Sequence, residues 1–241
     1  LLAHTATASA VDGEVWALHT AWSGNHVSFA ERLADGRRYM QMGELLHSGE
    51  ICLEAGETYT TPRIVGAYSS VGDCGIANIM QAEVRAMRNP MSPRPVTLNT
   101  WEAVYFNHDI DTLQQLAHAA ADVGVERFVL DDGWFLGRRN DSAGLGDWYV
   151  DPVVYPHGLT PLIDTVKSRG MQFGLWLEPE MVNPDSNLYR AHPDWVLEHS
   201  GYPHVLGRHQ LVLNLTIPEA YEYILRCIDA LLTEYDISYL K

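Results

Sequence analysis

The stretch Phe128-Val129-Leu130-Asp131-Asp132-Gly133-Trp134 decides the fold of this chain. Three large apolar residues in a row read as a strand covered on both faces, which is the condition of a parallel sheet lying under helices. Two carboxylates and a glycine follow at its end. The same plan returns at Phe173-Gly174-Leu175-Trp176-Leu177-Glu178-Pro179-Glu180, and a last run, Ile237-Ser238-Tyr239-Leu240-Lys241, ends on a lysine. Strands that are apolar along their length and polar at their carboxyl ends point to a (β/α)₈ arrangement, in which function sits at those ends.

Working outward, helical spacing alternates with these strands. Leu113, Leu116, Ala117, Ala120 and Val123 share one face of a helix predicted over Ile110–Val123, and Gly124 follows as its C′ residue. Helices are also predicted over Leu159–Ser168 and Pro218–Tyr235, the latter opened by its proline. Strands are expected at Val96–Val104, Arg127–Asp131, Met171–Leu177, Leu211–Leu215 and Ile237–Lys241. That count makes Ile237–Lys241 a fifth strand. A complete barrel takes about 250 residues, so residues 96–241 correspond to the first half of one.

Before residue 75 the rhythm differs. Apolar runs are short and split by Ser23-Gly24-Asn25, Ala34-Asp35-Gly36, Ser48-Gly49-Glu50 and Ala55-Gly56-Glu57, about ten residues apart, as in an antiparallel β-sandwich. Ile76, Ile79, Met80, Glu83, Val84 and Met87 fall at helical steps over 76–88, and Pro90, Pro93 and Pro95 then forbid regular structure. Residues 76–95 are therefore expected to be a helical and proline-rich linker. The fold class expected is α/β: a partial (β/α)₈ barrel preceded by part of a β-sandwich. The chain opens at Leu1-Leu2 and ends on a strand with no loop, and so reads as an internal piece of a larger enzyme.

Composition narrows the functions. With 16 Lys+Arg against 31 Asp+Glu the net charge is −15, a field that repels nucleic-acid phosphates. No apolar run approaches the roughly 20 residues that span a bilayer. Cys52, Cys74 and Cys227 are too scattered for a disulfide scaffold or a zinc site, and read as reduced thiols of a cytoplasmic protein. His192, His199, His204 and His209 are spaced for neither a helical nor a hairpin metal site. A nucleophile elbow, a Walker loop and a dinucleotide glycine fingerprint are all missing from the sequence.

The strand ends supply the chemistry. Carboxylates accept hydrogen bonds from hydroxyls and aromatic rings stack on sugar C–H faces, so Asp131 and Asp132 beside Trp134 suit a carbohydrate. The competing reading has one Asp bracing the loop and Trp134 in the core. Glu178 and Glu180 are either the acid and nucleophile of a hydrolase or rim braces, and rigid Pro179 between them favours the second. Trp101 ends the first strand. Arg208, in Gly207-Arg208-His209-Gln210, is either a clamp for a hydroxyl or carboxylate or a solvated loop cation. Lys241 is an unusual residue for a strand end, since a lysine is seldom buried unpaired.

Taken together, Asn99-Thr100-Trp101-Glu102, Phe128–Phe135, Leu145-Gly146-Asp147-Trp148, Phe173–Val182, His192-Pro193-Asp194-Trp195, Gly207–Leu215 and Tyr239-Leu240-Lys241 resemble the α-galactosidases of glycoside hydrolase family 36. The resemblance implies that Asp131 and Asp132 bind galactose hydroxyls, including the axial one. It further implies that Trp176 walls the sugar subsite, that Trp101 lines it toward the aglycone, and that Arg208 and Lys241 donate to the sugar. Glu178 and Glu180 become structural. The family's nucleophile, an Asp, is expected two residues beyond Lys241 and its acid/base later still, so the resemblance assigns no catalytic residue to this chain. The family places that nucleophile after its fourth strand, which implies that Leu211–Leu215 is an accessory strand in a long β/α loop. It implies neither cofactor nor metal, a retaining mechanism on raffinose- or melibiose-type α-galactosides, and a full-length protein that forms a homo-oligomer. A related α-N-acetylgalactosaminidase or galactosyl transferase, and a galactoside-binding protein without catalysis, are the alternatives.

Overall fold

The structure is a computed structural model describing residues 1–87, 94–198 and 201–241. It divides into two compact units, Leu1–Ser92 and Pro93–Lys241.

In the first unit five strands, β1 (Leu2–His4), β2 (Val15–Thr20), β3 (His26–Arg32), β4 (Arg38–Glu44) and β5 (Ile64–Ser69), are followed by helix α1 (Gly72–Met87). β2 lies between β1 and β5, antiparallel to both, and β3 pairs with β4 as a separate hairpin. In β2 Val15 and Ala17 are buried while Trp16 is exposed, the period-2 pattern of a sheet with one covered face. α1 covers that face with Ile76 and Met80. The helix expected over 76–88 thus begins earlier, at Gly72, and belongs to this unit; residue 88 and most of the proline-rich stretch lie outside the described residues. The ten-residue rhythm does not hold throughout. Among the described residues no strand lies between Glu44 and Ile64, where the backbone makes turns instead.

The second unit contains β6 (Thr97–Asn99), α2 (Trp101–Val104), α3 (Ile110–Asp122), β7 (Arg127–Leu130), α4 (Thr160–Ser168) and β8 (Gln172–Leu175). Then come β9 (Met181–Val182), α5 (Asn187–Ala191), one 3₁₀ turn (Pro193–Trp195), β10 (Leu211–Val212), α6 (Pro218–Glu234) and β11 (Tyr239–Leu240). β6, β7, β8 and β11 form one parallel sheet in the order β11-β8-β7-β6. Phe128, Leu130, Phe173 and Leu175 are buried in it against Leu113 and Ala117 of α3, Leu162 and Val166 of α4, and Ile224 and Leu231 of α6.

Two expectations for this unit are corrected. The count of five gives way to the placement implied by the resemblance: Ile237–Lys241 supplies the fourth parallel strand, because Leu211–Val212 pairs antiparallel with Met181–Val182 inside the connection from β8 to α6. Leu211 and Leu213 are as buried as a barrel strand's residues, and burial alone does not reveal strand direction. The strand expected over Val96–Val104 stops at Asn99, where Thr100 turns into helical geometry at φ −79°, ψ −10° and leads into α2. Trp101 therefore sits on a helical turn beyond the strand end.

Candidate functional site

The carboxyl ends of the four parallel strands converge. Asn99 is the last residue of β6, and Asp131, Trp176 and Lys241 each stand one residue past the end of β7, β8 and β11. Asp131, almost fully buried, is the meeting point: its Oδ2 accepts from Asn99 Nδ2 at 2.5 Å and from Lys241 Nζ at 2.6 Å. Its backbone N–H donates to the Thr100 hydroxyl, 3.0 Å, and its Oδ1 accepts the Asp132 N–H, 2.8 Å. Charge-assisted bonds of this kind fix the direction of the carboxylate. Lys241 itself is exposed, a cation at the rim.

Asp132 is held differently. Arg138, with no exposed surface, forks onto it: Nε to Oδ1 at 2.9 Å and Nη2 to Oδ2 at 2.8 Å. Burial pushes the Asp132 carboxyl above the ordinary aspartate range, and the Arg138 guanidinium opposes that rise. Each carboxylate oxygen has a further lone pair, so the fork leaves Asp132 able to accept from a ligand. Gly133 then turns the chain at φ +117°, and a β-carbon there would stand 2.9 Å from His108 Nε2. His108 is buried beneath this turn with Nδ1 2.7 Å from the Tyr155 hydroxyl. Burial lowers its pKa to about 4, so the imidazole is neutral at physiological pH.

The aromatic residues separate into core and wall. Trp134 has no exposed surface and donates its indole N–H to the Trp176 carbonyl, 2.9 Å, which makes it a core brace. Trp176 is half-buried, stacked near Phe135 at 6.3 Å between ring centres and edge-on to Trp148 at 6.1 Å. Trp101 packs edge-on against Tyr105 and Phe106 at 5.2 and 5.1 Å. Glu178 accepts the Gln210 amide at 3.0 Å and is pushed up by burial and then by Glu180; Glu180 is exposed. Arg208 is exposed on a turn with φ +54°, and its charge is felt by both Asp132 and Glu178, lowering each.

Of the six residues singled out from sequence, Asp131 and Lys241 touch directly; Asp132 and Trp176 stand at adjacent strand ends. Sequence reading missed Arg138, Asn99 and Asn183. Asn99 lies in a quoted motif, whereas Arg138 and Asn183 come from irregular loops where no periodicity marks a partner. Among the described residues no group of three His, Cys, Asp or Glu is arranged to hold a metal, and no helix is long and apolar enough to cross a membrane.

Comparison with known proteins places this geometry in a lineage. The Melibiase family model matches residues 58–241, and the glycosyl hydrolase family 36 N-terminal domain model matches residues 1–54. An α-galactosidase of Escherichia coli is 50% identical over 244 residues, covering 100% of this chain and 34% of that protein. The crystal structure of the GH36 α-galactosidase AgaA from Geobacillus stearothermophilus superposes with a TM-score of 0.91 at 36% identity, covering 99% of this chain and 34% of that one. A variant of that enzyme in complex with raffinose gives 0.89 at 35% identity, with the same coverage. The chain spans about a third of the length of the curated relatives it matches. With a match that runs through most of its length, the chain belongs to the melibiases of glycosyl hydrolase family 36.

Proposed function

We propose that the convergent strand ends form the galactose-binding half of a retaining α-galactosidase active site. The observation that carries this reading is the Asp131 carboxylate, buried and oriented by Asn99 and Lys241 from the two outer strands of the sheet, with Asp132 beside it. Two fixed acceptors and a lysine donor suit a polyol, and the Trp176 indole offers a face for the sugar ring. Arg208 donates to the sugar from the turn, and Trp101 lines the aglycone side. In a retaining mechanism one carboxylate attacks the anomeric carbon, a second protonates the leaving oxygen, and the two lie about 5–5.5 Å apart. The reading assigns this chain neither of them.

Raffinose- and melibiose-type α-galactosides are the proposed substrates, supported by the raffinose bound to the related enzyme. A cytoplasmic site of action is proposed on three cysteines that are all free, and a homo-oligomer on the family's habit. The test is turnover of p-nitrophenyl α-galactoside by the full-length gene product, with the anomer of released galactose followed by NMR. Asp131→Asn and Asp132→Asn should each lower kcat/KM about 10- to 100-fold, the worth of a charged hydrogen bond. Release of β-galactose first would overturn the retaining mechanism. Preference for the N-acetylgalactosaminide would transfer the site to that substrate, and galactose binding without turnover would leave a recognition module.

A further inference from the structure

Arg208 presents a conformational problem. It and His209 are consecutive residues in left-handed geometry, φ +54° and +63°, at the centre of a turn closed by Gln210 N–H to the Gly207 carbonyl at 3.0 Å. Such turns ordinarily use Asn-Gly or Gly. Two residues bearing β-carbons cost about 1–2 kcal/mol each there, and such strain persists only where the surroundings impose it.

The imposing group is Asn183, just past β9 and without exposed surface. Its Nδ2 donates to the His209 carbonyl at 2.8 Å and to the Asp141 carbonyl at 3.3 Å. Its Oδ1 accepts from Leu145 N–H at 2.9 Å and from Arg138 Nη1 at 3.1 Å. Both amide hydrogens and both lone pairs are thereby used. The orientation is forced, since the reversed amide would face two carbonyls with oxygen and two donors with nitrogen. Arg138 is itself locked onto Asp132, so the carboxamide is a rigid post anchored on one side to the carboxylate's partner. We propose that Asn183 is the positioning residue for Arg208: it touches no sugar, and it holds the strained turn so that the guanidinium stays over the galactose pocket.

This rests on the galactose-pocket reading above, and the experiment separates the two. Galactose affinity is measured by calorimetry on the full-length gene product for wild type, Asn183→Asp, Arg208→Ala, the pair together, and Asp131→Asn. Asn183→Asp keeps the acceptor for Leu145 and Arg138 but sets a carboxylate against the His209 and Asp141 carbonyls. It should weaken galactose about tenfold, the worth of a hydrogen bond lost at a strained site. In the Arg208→Ala background the same change should cost less than about twofold, because residues acting through one another are not additive. Adding His209→Gly to Asn183→Asp should restore most of the affinity, since glycine occupies left-handed geometry freely. Unchanged affinity in Asn183→Asp, losses that multiply with Arg208→Ala, or no restoration by the glycine would overturn the inference. If Asn183→Asp gives no soluble protein, Asn183→Ser enters the same cycle with the same expectations. Should Asp131→Asn and Arg208→Ala both bind galactose as wild type does, the pocket reading itself fails.

Discussion

At the scale of the residue, the site centres on two buried carboxylates, Asp131 and Asp132, each with a named cationic partner. Arg138 partly offsets the cost of burying Asp132, and cutting one partner of a buried pair leaves an uncompensated charge. Arg138→Ala should therefore destabilise by about 3–5 kcal/mol and abolish galactose binding, seen as a lower midpoint in urea and a flat calorimetric titration. His108 makes a prediction in pH. Its folded pKa is depressed from 6.5 to about 4, so between those values the unfolded chain takes up a proton that the folded chain refuses. Stability is full above pH 6.5 and lost as pH falls toward 4, by about 3 kcal/mol for the whole shift. Asp132 and Glu178, both raised, act in the opposite sense, and their contribution is lost as pH rises through the folded values. His108→Gln should flatten the loss between pH 6.5 and 4 in urea titrations, and an unchanged profile would contradict a buried neutral imidazole. Asp131, Asp132 and Lys241 were legible because each ends an apolar run. Arg138 was not, because its pairing with Asp132 is set by the path of a loop.

At the scale of the element, four parallel strands are short, two to four residues each, and depend on neighbours for register. Gly174 lies in β8 between Val129 of β7 and Tyr239 of β11, and a β-carbon there would stand 3.0 Å from Val129 Cγ2 and from Tyr239 Cδ1. The Tyr239 ring is meanwhile held under the Arg127 guanidinium, 4.2 Å from its centre. Gly174→Val should cost about 1–3 kcal/mol by overpacking and displace β11, carrying Lys241 away from Asp131. Loss of galactose affinity together with a lower unfolding midpoint is the expected pair of results; an unchanged midpoint would show that the two strands part without cost. The three long helices of the second unit were legible from their 3.6-residue spacing almost to the residue, as with Ile110–Asp122 against an expected Ile110–Val123. The strand β9 was not expected at all, and β10 was counted among the barrel strands by its pattern, since an apolar run has no direction until it finds a partner.

At the scale of the whole molecule, the two family matches meet between residues 54 and 58, whereas the compact units divide at residue 92. The difference is β5, which lies within the second match yet pairs along its full length with β2. Among the described residues the parallel sheet is open, with β6 and β11 each paired on one side and Tyr239 and Leu240 more than a third exposed. Unpaired edges and exposed apolar side chains promote association, so the 241-residue polypeptide expressed alone should self-associate with rising concentration in light scattering. A monomer with a single cooperative melt would contradict that. The sequence by itself determined the alternation of strand and helix, the carboxylates at the strand ends and the family, because these are carried by local periodicity and by residues adjacent in the chain. Tertiary structure decided between the fourth and fifth place for Ile237–Lys241, put Trp134 in the core, and brought Arg138 onto Asp132 and Asn183. Apart from the Arg138–Asp132 fork, which spans six positions, those facts depend on hydrogen bonds between residues tens of positions apart, and no local pattern records where a loop returns.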